Sequence, residues 1–200
     1  MKRFFLFVSM FFLGINLVYA KEKVEFTKCV DGDTFKVIIN DKEHLVRMLA
    51  VDTPELAKNG NRAEYYAEEA SDYTCNRLMN AGKIELEYDP NSDKVDKYDR
   101  ILAWVYVDGK LLQEELVKNG YAKIAYLYDD YKYVGELKEK QELASAKEIG
   151  IWNSDAKKRY DDGSEEETSF DEVSNGIVAI VGVIILVIVF ICDKIFNRKK

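Results

Sequence analysis

Residues 24–51 read VEFTKCVDGDTFKVIINDKEHLVRMLAV and contain three short runs rich in β-branched and aromatic residues. The runs cover residues 24–30, 35–39 and 45–51, and an Asp-Gly step and an Asn-Asp step lie between them. Because such steps favour tight turns between strands, the stretch predicts three sequential strands joined by short turns. These three strands begin the fold.

The rest of the central region alternates between helical and strand-like patterns. Helical spacing of apolar or small residues is found at 64–79, 111–118 and 134–149, and strand-like patterns at 84–88 and 101–107. Five short strands with an inserted helix fit a small closed barrel. The sequence therefore predicts an α+β domain, mainly β, with five strands and three helices over residues 21–153.

The first 20 residues have the pattern of a secretory signal peptide. Met1-Lys2-Arg3 gives a basic start, a short apolar run follows, and Ala20 precedes the polar segment Lys21-Glu22-Lys23. This pattern predicts export and cleavage after Ala20, and the apolar run is short for a membrane span. An uncleaved N-terminal anchor is the alternative.

A second apolar run, at residues 176–192, predicts a transmembrane helix. It carries no charge, the tail 193–200 is basic, and residues 154–175 are polar and acidic. Basic residues prefer the cytoplasmic side of a membrane, and acidic polar stretches resist packing. We therefore expect a single-pass protein of the cell membrane, with the domain outside, a flexible linker at 154–175 and the C-terminus inside. A buried strand or helix is the alternative for 176–192.

The charge balance limits the class of protein. The chain has 29 basic and 36 acidic side chains, a net charge of -7. Tight nonspecific binding to nucleic acid usually depends on an excess of basic residues, so this balance argues against it. A local basic cleft or a bound cation remains compatible with the composition.

Cysteine and histidine usage limits the chemistry further. Cys29 and Cys75 lie in the predicted exported part and could form one disulfide, although the sequence does not show that they meet. Two isolated cysteines with no histidine near them make a poor zinc site. His44 is the only histidine and lies in a predicted turn, so histidine-based triads are excluded unless His44 serves.

Four charged residues lie close together in the first part of the predicted domain. They are Asp33, Arg47, Asp52 and Glu55. Carboxylates bind hard cations, and the guanidinium group of arginine binds oxyanions, so this set indicates phosphate chemistry on a metal ion. The ordinary alternatives are a turn-forming aspartate, a surface ion pair of the arginine and a loop glutamate.

A series of short motifs runs along most of the predicted domain. They are Asp31-Gly32-Asp33-Thr34, Arg47, Val51-Asp52-Thr53-Pro54-Glu55, Glu69-Ala70-Ser71, Asp96-Lys97-Tyr98-Asp99-Arg100, Ala103, Ala122-Lys123, Ala125-Tyr126-Leu127-Tyr128 and Ile151-Trp152. In this order and spacing, residues 24–152 resemble the staphylococcal nuclease (thermonuclease) family. The resemblance implies a five-stranded OB-fold barrel and a calcium-dependent phosphodiesterase acting on DNA and RNA, leaving 3′-phosphate ends.

The resemblance also implies roles for individual residues. Ca²⁺ would be held by the Asp33 and Asp52 carboxylates and the Thr53 carbonyl. The implied catalytic residues are Glu55, which acts on the attacking water, and Arg47 and Arg100, which hold phosphate oxygens. Substrate contacts are implied for Lys97, Tyr98, Tyr126 and Tyr128, with ordinary surface or packing roles as alternatives. Asp99 stands where the family usually has glycine, which affects the placement of Arg100.

The interpretation is therefore a membrane-anchored extracellular nuclease, monomeric, with DNA and RNA as substrates and no evident protein partner. Two alternatives remain open at this point. One is a catalytically inactive OB-fold module that binds nucleic acid or protein, and the other is a calcium-dependent surface adhesin. Both predict binding without cleavage.

Overall fold

A computed structural model describes residues 21–163 and contains eight strands and four α-helices in that range. The strands are β1 (Glu22–Cys29), β2 (Thr34–Ile39), β3 (Lys42–Met48), β4 (Val51–Asp52), β5 (Ile84–Glu87), β6 (Ile101–Val107), β7 (Lys110–Leu111) and β8 (Lys123–Ile124). The helices are α1 (Ala67–Met79), α2 (Leu112–Lys118), α3 (Val134–Ala146) and α4 (Ser154–Asp161), with a 3₁₀ turn at Gly150–Trp152.

Five of the strands form a closed barrel, as the sequence predicted. The hydrogen-bonded order is β3-β2-β1-β5-β6, and a parallel pairing of β3 with β6 closes the barrel. The other barrel pairs are antiparallel, and β1 pairs with β2 through its second half and with β5 through its first residues. The β1–β2 register shifts between Phe26 and Lys28, within the part of β1 that pairs with β2.

The core lies inside the barrel and beneath the helices. Its largest fully buried side chains include Trp104, Phe35, Met48, Leu86 and Leu112. Period-two alternation directs the strand residues of this set inward, whereas Leu112 reaches the core from α2. Burial of each large apolar side chain stabilises the fold by roughly 1.5–3 kcal/mol. The barrel is therefore a rigid support for the loops at its edge.

Backbone conformations at two residues explain where the predicted elements were too long. The predicted strand 45–51 breaks after Met48 because Ala50 has a positive φ of 60°, and β4 begins beyond it. The predicted helix 64–79 begins at Ala67 because Tyr66 has φ 70°. His44 lies within β3, opposite Val37, and not in a turn as predicted.

A disulfide joins the end of β1 to α1. It links Cys29 and Cys75, whose Cα atoms are 5.8 Å apart and which are 46 residues apart in the sequence. The sequence had left this pairing open. The bond ties the chain just before the β1–β2 turn to the middle of the helix.

The start of the predicted flexible linker is corrected by the structure. Residues 154–161 form the helix α4, and the chain from Asp155 onward forms a separate compact unit. The predicted signal peptide (1–20), transmembrane helix (176–192) and basic tail (193–200), with the rest of the linker, lie outside the described residues. Within residues 21–163 no helix has the length and apolar character needed to cross a membrane.

Candidate active site

The turn between β1 and β2 positions the first predicted metal ligand. The backbone N–H of Asp33 donates to Asp31 Oδ1 at 3.1 Å, and the N–H groups of Val30 and Asp31 both donate to the Thr34 carbonyl at 3.1 Å. An aspartate two residues before the donor forms an Asx turn, which fixes the backbone locally. The sequence therefore aims Asp33 by its own local hydrogen bonds.

The Asp33 carboxylate is buried among several donors. It is 4% exposed, and its oxygens accept hydrogen bonds from the Thr34 hydroxyl at 2.9 Å and the Thr53 backbone N–H at 3.1 Å. The Arg47 guanidinium lies 3.0 Å away. Burial raises the pKa of Asp33 to about 6, because the loss of solvent outweighs the attraction of Arg47.

Arg47 connects the two predicted carboxylate ligands. Its Nη2 atom lies 3.0 Å from an Asp33 oxygen and 3.6 Å from an Asp52 oxygen. Its Nη1 atom donates to the backbone carbonyls of Met48 and Val51, both at 2.8 Å. These bonds fix the orientation of the guanidinium group, whose planar shape presents several donors in set directions. The strand-surface role considered from sequence does not fit, because Arg47 is buried.

Asp52 receives positive groups from the opposite strand as well. In the β4–β8 pair Asp52 lies directly opposite Lys123, whose Nζ atom is 3.1 Å from Asp52 Oδ2. The Tyr126 ring lies over the Arg47 guanidinium at 5.3 Å, and the negative charge of Asp52 raises the pKa of Tyr126. Tyr126 therefore belongs to the charged cluster.

Glu55 follows the cluster in an exposed loop and is held by a second glutamate. Its backbone N–H donates to Glu64 Oε2 at 3.1 Å, and the Glu64 N–H donates to the Glu55 carbonyl at 2.9 Å. Partial loss of solvent raises the pKa of the Glu55 carboxyl, and the charges of Asp31 and Asp52 raise it further. A raised pKa brings a carboxylate closer to the basicity that proton transfer near neutral pH needs.

A separate cluster forms around Arg100. Its guanidinium pairs with Asp96, with both Nε and Nη2 2.7 Å from Oδ2, and lies 5.4 Å from the Tyr98 ring. Lys97 lies 5.0 Å from the same ring. Asp99 adopts a positive φ of 63° between Tyr98 and Arg100, so it takes the backbone conformation that glycine takes freely.

The barrel closure determines how the two clusters relate. Parallel pairing sets Val46 opposite Ile101 and Arg47 opposite Leu102. Arg100 lies immediately before β6, the strand that pairs with the strand carrying Arg47. Within residues 21–163 the Arg100 side chain pairs with Asp96 and not with a residue of the Asp33 cluster.

Two predicted substrate contacts are strongly exposed tyrosines. Tyr128 is 82% exposed and Tyr98 is 67% exposed. Exposed aromatic faces can stack on any nucleobase. Tyr126 differs, because it has φ 56° and its ring lies over the Arg47 guanidinium, so Tyr126 and Tyr128 have different surroundings.

The residues present fit a hard dication. Asp33 and Asp52 supply carboxylate oxygens that one guanidinium reaches simultaneously, and Thr53 lies next to Asp52 in the chain. A buried carboxylate with a raised pKa gains from a nearby positive charge, and calcium prefers oxygen ligands. No group of three or more His, Cys, Asp or Glu side chains is arranged for metal binding within residues 21–163, so protein carboxylates alone would not fill the coordination sphere.

Sequence reasoning missed four residues that support this cluster. Asp31 orients Asp33, Glu64 holds the Glu55 backbone, Lys123 pairs with Asp52, and Thr74 bonds the turn at Gly32. Asp31 and Lys123 stood within the quoted motifs, so their positions were a usable signal. Thr74 acts across 42 positions and Glu64 across 9, and neither stood within the quoted motifs.

Comparisons with known proteins show to which family the chain belongs. The family model described as "Staphylococcal nuclease homologue" matches residues 45–154, more than half of the chain. The chain belongs to the staphylococcal nuclease family. Its relatives in this family include a thermonuclease of Staphylococcus hyicus, which is 35% identical over 127 residues covering 64% of this chain and 73% of the relative.

Two relatives from Bacillus subtilis (strain 168) are more similar in sequence. Endonuclease YncB is 44% identical over 131 residues, covering 65% of this chain and 61% of the relative. The SPbeta prophage-derived endonuclease YokF is 43% identical over 136 residues, covering 66% of this chain and 45% of the relative. The chain thus spans about half to three fifths of the length of those two relatives.

Proposed function

We propose that this protein is a calcium-dependent nuclease that hydrolyses phosphodiester bonds in DNA and RNA and leaves 3′-phosphate ends. The single observation that carries the proposal is the Arg47 guanidinium, which contacts Asp33 and Asp52 at once in a buried position. This arrangement combines a cation site with a phosphate-binding group. The thermonuclease and endonuclease names of its relatives support the same activity.

The proposed cation site consists of Asp33, Asp52 and the Thr53 carbonyl. When bound, calcium supplies positive charge beside the reacting phosphate and accepts further oxygen ligands. Burial of Asp33 favours this role, because a dication relieves the cost of an ionised carboxylate with little access to solvent. The preference for oxygen ligands favours calcium over zinc at this site.

Glu55 is the proposed acceptor of a proton from the attacking water. The hydrogen bond from its backbone to Glu64 holds the loop, while its own carboxyl group remains accessible to water. The raised pKa of Glu55 makes the carboxylate a stronger base than an ordinary glutamate. A water molecule held between Glu55 and the phosphorus atom would lose its proton to the carboxylate as the new P–O bond forms. The bond from phosphorus to the 5′-oxygen would break in the same displacement, which leaves the phosphate on the 3′ side, and the released 5′-oxygen would take up a proton from water.

Arg47 and Arg100 are the proposed phosphate-binding groups. A guanidinium stays charged and presents paired donors, which match the oxygens of a phosphate whose negative charge increases in the transition state. The carbonyl bonds of Arg47 support a fixed orientation, so little rearrangement accompanies the reaction. Arg100 would exchange its bond with Asp96 for a bond to a phosphate oxygen.

Lys97, Tyr98, Tyr126 and Tyr128 are the proposed contacts for the remainder of the nucleic acid. The exposed rings of Tyr98 and Tyr128 support stacking on bases without sequence preference. Because the net charge is -7, we expect affinity for nucleic acid to depend on the cation. The proposal includes a monomeric, exported protein anchored through residues 176–192 with its domain outside the cell.

The activity is tested with the full-length chain in detergent micelles and denatured DNA as substrate. We expect cleavage with calcium, none after a calcium chelator is added, and 3′-phosphate termini on the products. Glu55→Gln and Arg47→Ala should each lower kcat by orders of magnitude, whereas Lys36→Ala, which removes only the ion pair with Glu43, should not. Undiminished cleavage in chelator would contradict the role of calcium, and binding without cleavage would support the inactive module.

The membrane topology is tested separately on intact cells. Protease added outside should remove the domain from cells that display it, and disruption of the cells should not be needed. Protection of the domain from external protease would contradict the proposed orientation.

A further inference from the structure

We propose that Lys123 is the exchangeable counter-ion of the carboxylate pair formed by Asp33 and Asp52. Its ammonium group pairs with the Asp52 carboxylate until a dication binds and displaces it. Lys123 would thereby lower the affinity of the site for calcium. This inference rests on the proposed function, since it concerns the same cation site, and it adds a residue that sets the affinity of that site.

The backbone holds Lys123 opposite Asp52. The two residues are direct partners in the antiparallel β4–β8 pair, and residues directly opposite in such a pair extend to the same face. The backbone that follows Lys123 is anchored by two hydrogen bonds, since the Ile124 N–H donates to the Gln141 side chain at 2.7 Å and the Ala125 N–H donates to the Ala50 carbonyl at 3.1 Å. The ammonium group therefore lies at Asp52 because the strand pairing places it there.

The two cations at the carboxylate pair differ in how easily they can leave. The Arg47 side chain is 10% exposed and is fixed by two backbone carbonyls, whereas the Lys123 side chain is 55% exposed. Moving an exposed ammonium group into water costs little, because water solvates it again. Removing Arg47 would break buried bonds and leave the buried Asp33 carboxylate without its cationic partner. Lys123 is therefore the cation that can be exchanged.

The charges at the site also favour exchange over simultaneous binding. Asp33 and Asp52 carry two negative charges when ionised, and Arg47 and Lys123 balance them with two positive charges. A dication added to this set would lie beside two positive groups and would compete with Lys123 for Asp52 Oδ2. Withdrawal of the ammonium group frees that oxygen and removes one repulsion.

A second acidic group is available to the displaced lysine. The hydrogen bond to Asp52 is the main cause that raises the pKa of Lys123, and the negative charge of Glu64 adds to it, so Glu64 lies within electrostatic reach. Glu64 is exposed and holds the Glu55 backbone. After exchange, the ammonium group would remain near the loop that carries Glu55.

The ordinary alternative is an ion pair that only stabilises the short β4–β8 ladder. Under that alternative, neutralising Lys123 would lower thermal stability and leave calcium affinity unchanged or weaker. Exchange predicts the opposite change in affinity. The affinity of the protein for calcium alone, without nucleic acid, therefore separates the two.

The experiment is isothermal titration calorimetry of calcium into the full-length chain in detergent micelles at low ionic strength. Lys123→Met retains most of the side-chain stem and removes the charge. Because exposed ion pairs contribute modestly, we expect the Kd for calcium to fall about three- to fivefold in this variant. Lys123→Arg keeps the charge and should bind calcium no more tightly than the natural chain.

Lys36→Met is the matched control, because Lys36 also pairs with a carboxylate, but that carboxylate belongs to exposed Glu43 and not to the Asp33–Asp52 pair. It should leave the Kd unchanged. An unchanged or higher Kd for Lys123→Met would overturn the inference while leaving the calcium requirement intact. Absence of calcium binding in the natural chain and in every variant would overturn the calcium site of the proposed function as well.

Discussion

The hydroxyl group of Thr74 in α1 donates a 2.6 Å hydrogen bond to the backbone carbonyl of Gly32. Thr74 is fully buried, and the two residues are 42 positions apart in the sequence. Gly32 lies between Asp31 and Asp33, so the helix supports the turn that aims the predicted cation ligand. The carbonyl has little access to water, so its hydrogen bond matters for stability.

Replacing Thr74 by valine should lower both stability and calcium affinity. Valine has nearly the same shape, so the main change is the loss of the donor to the Gly32 carbonyl. We expect a loss of about 1–3 kcal/mol in the free energy of unfolding. Urea denaturation and calcium titration measure the two effects, and Thr74→Ser, which keeps the hydroxyl, should retain more of both. Equal losses in Thr74→Ser and Thr74→Val would show that the hydroxyl is unimportant.

Removing the disulfide should destabilise the domain. The Cys29–Cys75 bond closes a long loop, with a sequence separation of 46. Constraining such a loop in the unfolded chain contributes about 2–4 kcal/mol. Denaturation of the Cys29→Ala, Cys75→Ala double variant should reveal this loss, and a reducing agent should reproduce it in the natural chain. The double variant itself should not respond to the reductant; a response would point to another target.

Substituting Gly32 by alanine should disturb Thr53 directly. A Cβ atom added at Gly32 would lie 2.6 Å from Thr53 Oγ1 and 2.8 Å from its Cβ, which is closer than side chains pack. We expect weaker calcium binding, because Thr53 and Asp33 must shift apart. Gly135→Ala is the matched control, since nothing lies within 4 Å of the added atom. Similar calcium affinities for the two variants would contradict the proposed close packing.

Asp33→Asn should stabilise the calcium-free protein at neutral pH. Because burial raises the pKa of Asp33 to about 6 from an ordinary 3.8, the folded state binds more protons than the unfolded state between these values. The contribution of Asp33 to stability therefore falls as pH rises from about 4 to about 6. Above that range we expect the free energy of unfolding of the variant to be about 1–3 kcal/mol higher than that of the natural chain.

The pH profile of the same variant provides its own control. Below about pH 4 both forms carry a neutral side chain, so the difference should largely disappear. Calcium should reverse the order at neutral pH, because it binds the natural chain and not the variant. Thermal unfolding measured at several pH values, with and without calcium, tests all three statements. A variant that is less stable than the natural chain at pH 7 in chelator would contradict the effect of burial.

Much of the fold was predictable because its signals are local. The turn at Asn40-Asp41 forms as expected, with both residues at positive φ, and the three strands around the Asp-Gly and Asn-Asp steps pair in sequence. Errors came where one residue adopts an unusual backbone conformation. Ala50 ends a strand and Tyr66 delays a helix, and neither residue type signals a positive φ.

The composition of the candidate site was also local in part. Asp33, Arg47, Asp52 and Glu55 lie within a short stretch, and the structure brings the first three into direct contact. Their ionisable chemistry followed from residue type alone. Burial, which raises the pKa of Asp33, depends on what the rest of the chain packs around it.

The order of the main strands and helices along the chain, the acidic and arginine groups of the site and the family resemblance could all be predicted from the amino acids, because turns, periodicity and residue chemistry act over a few positions. The contacts of Cys29 with Cys75, of Thr74 with Gly32 and of Lys123 with Asp52 are set by folding alone. These contacts join segments dozens of residues apart. They form when the barrel closes and the helix packs on it, so no local pattern encodes them.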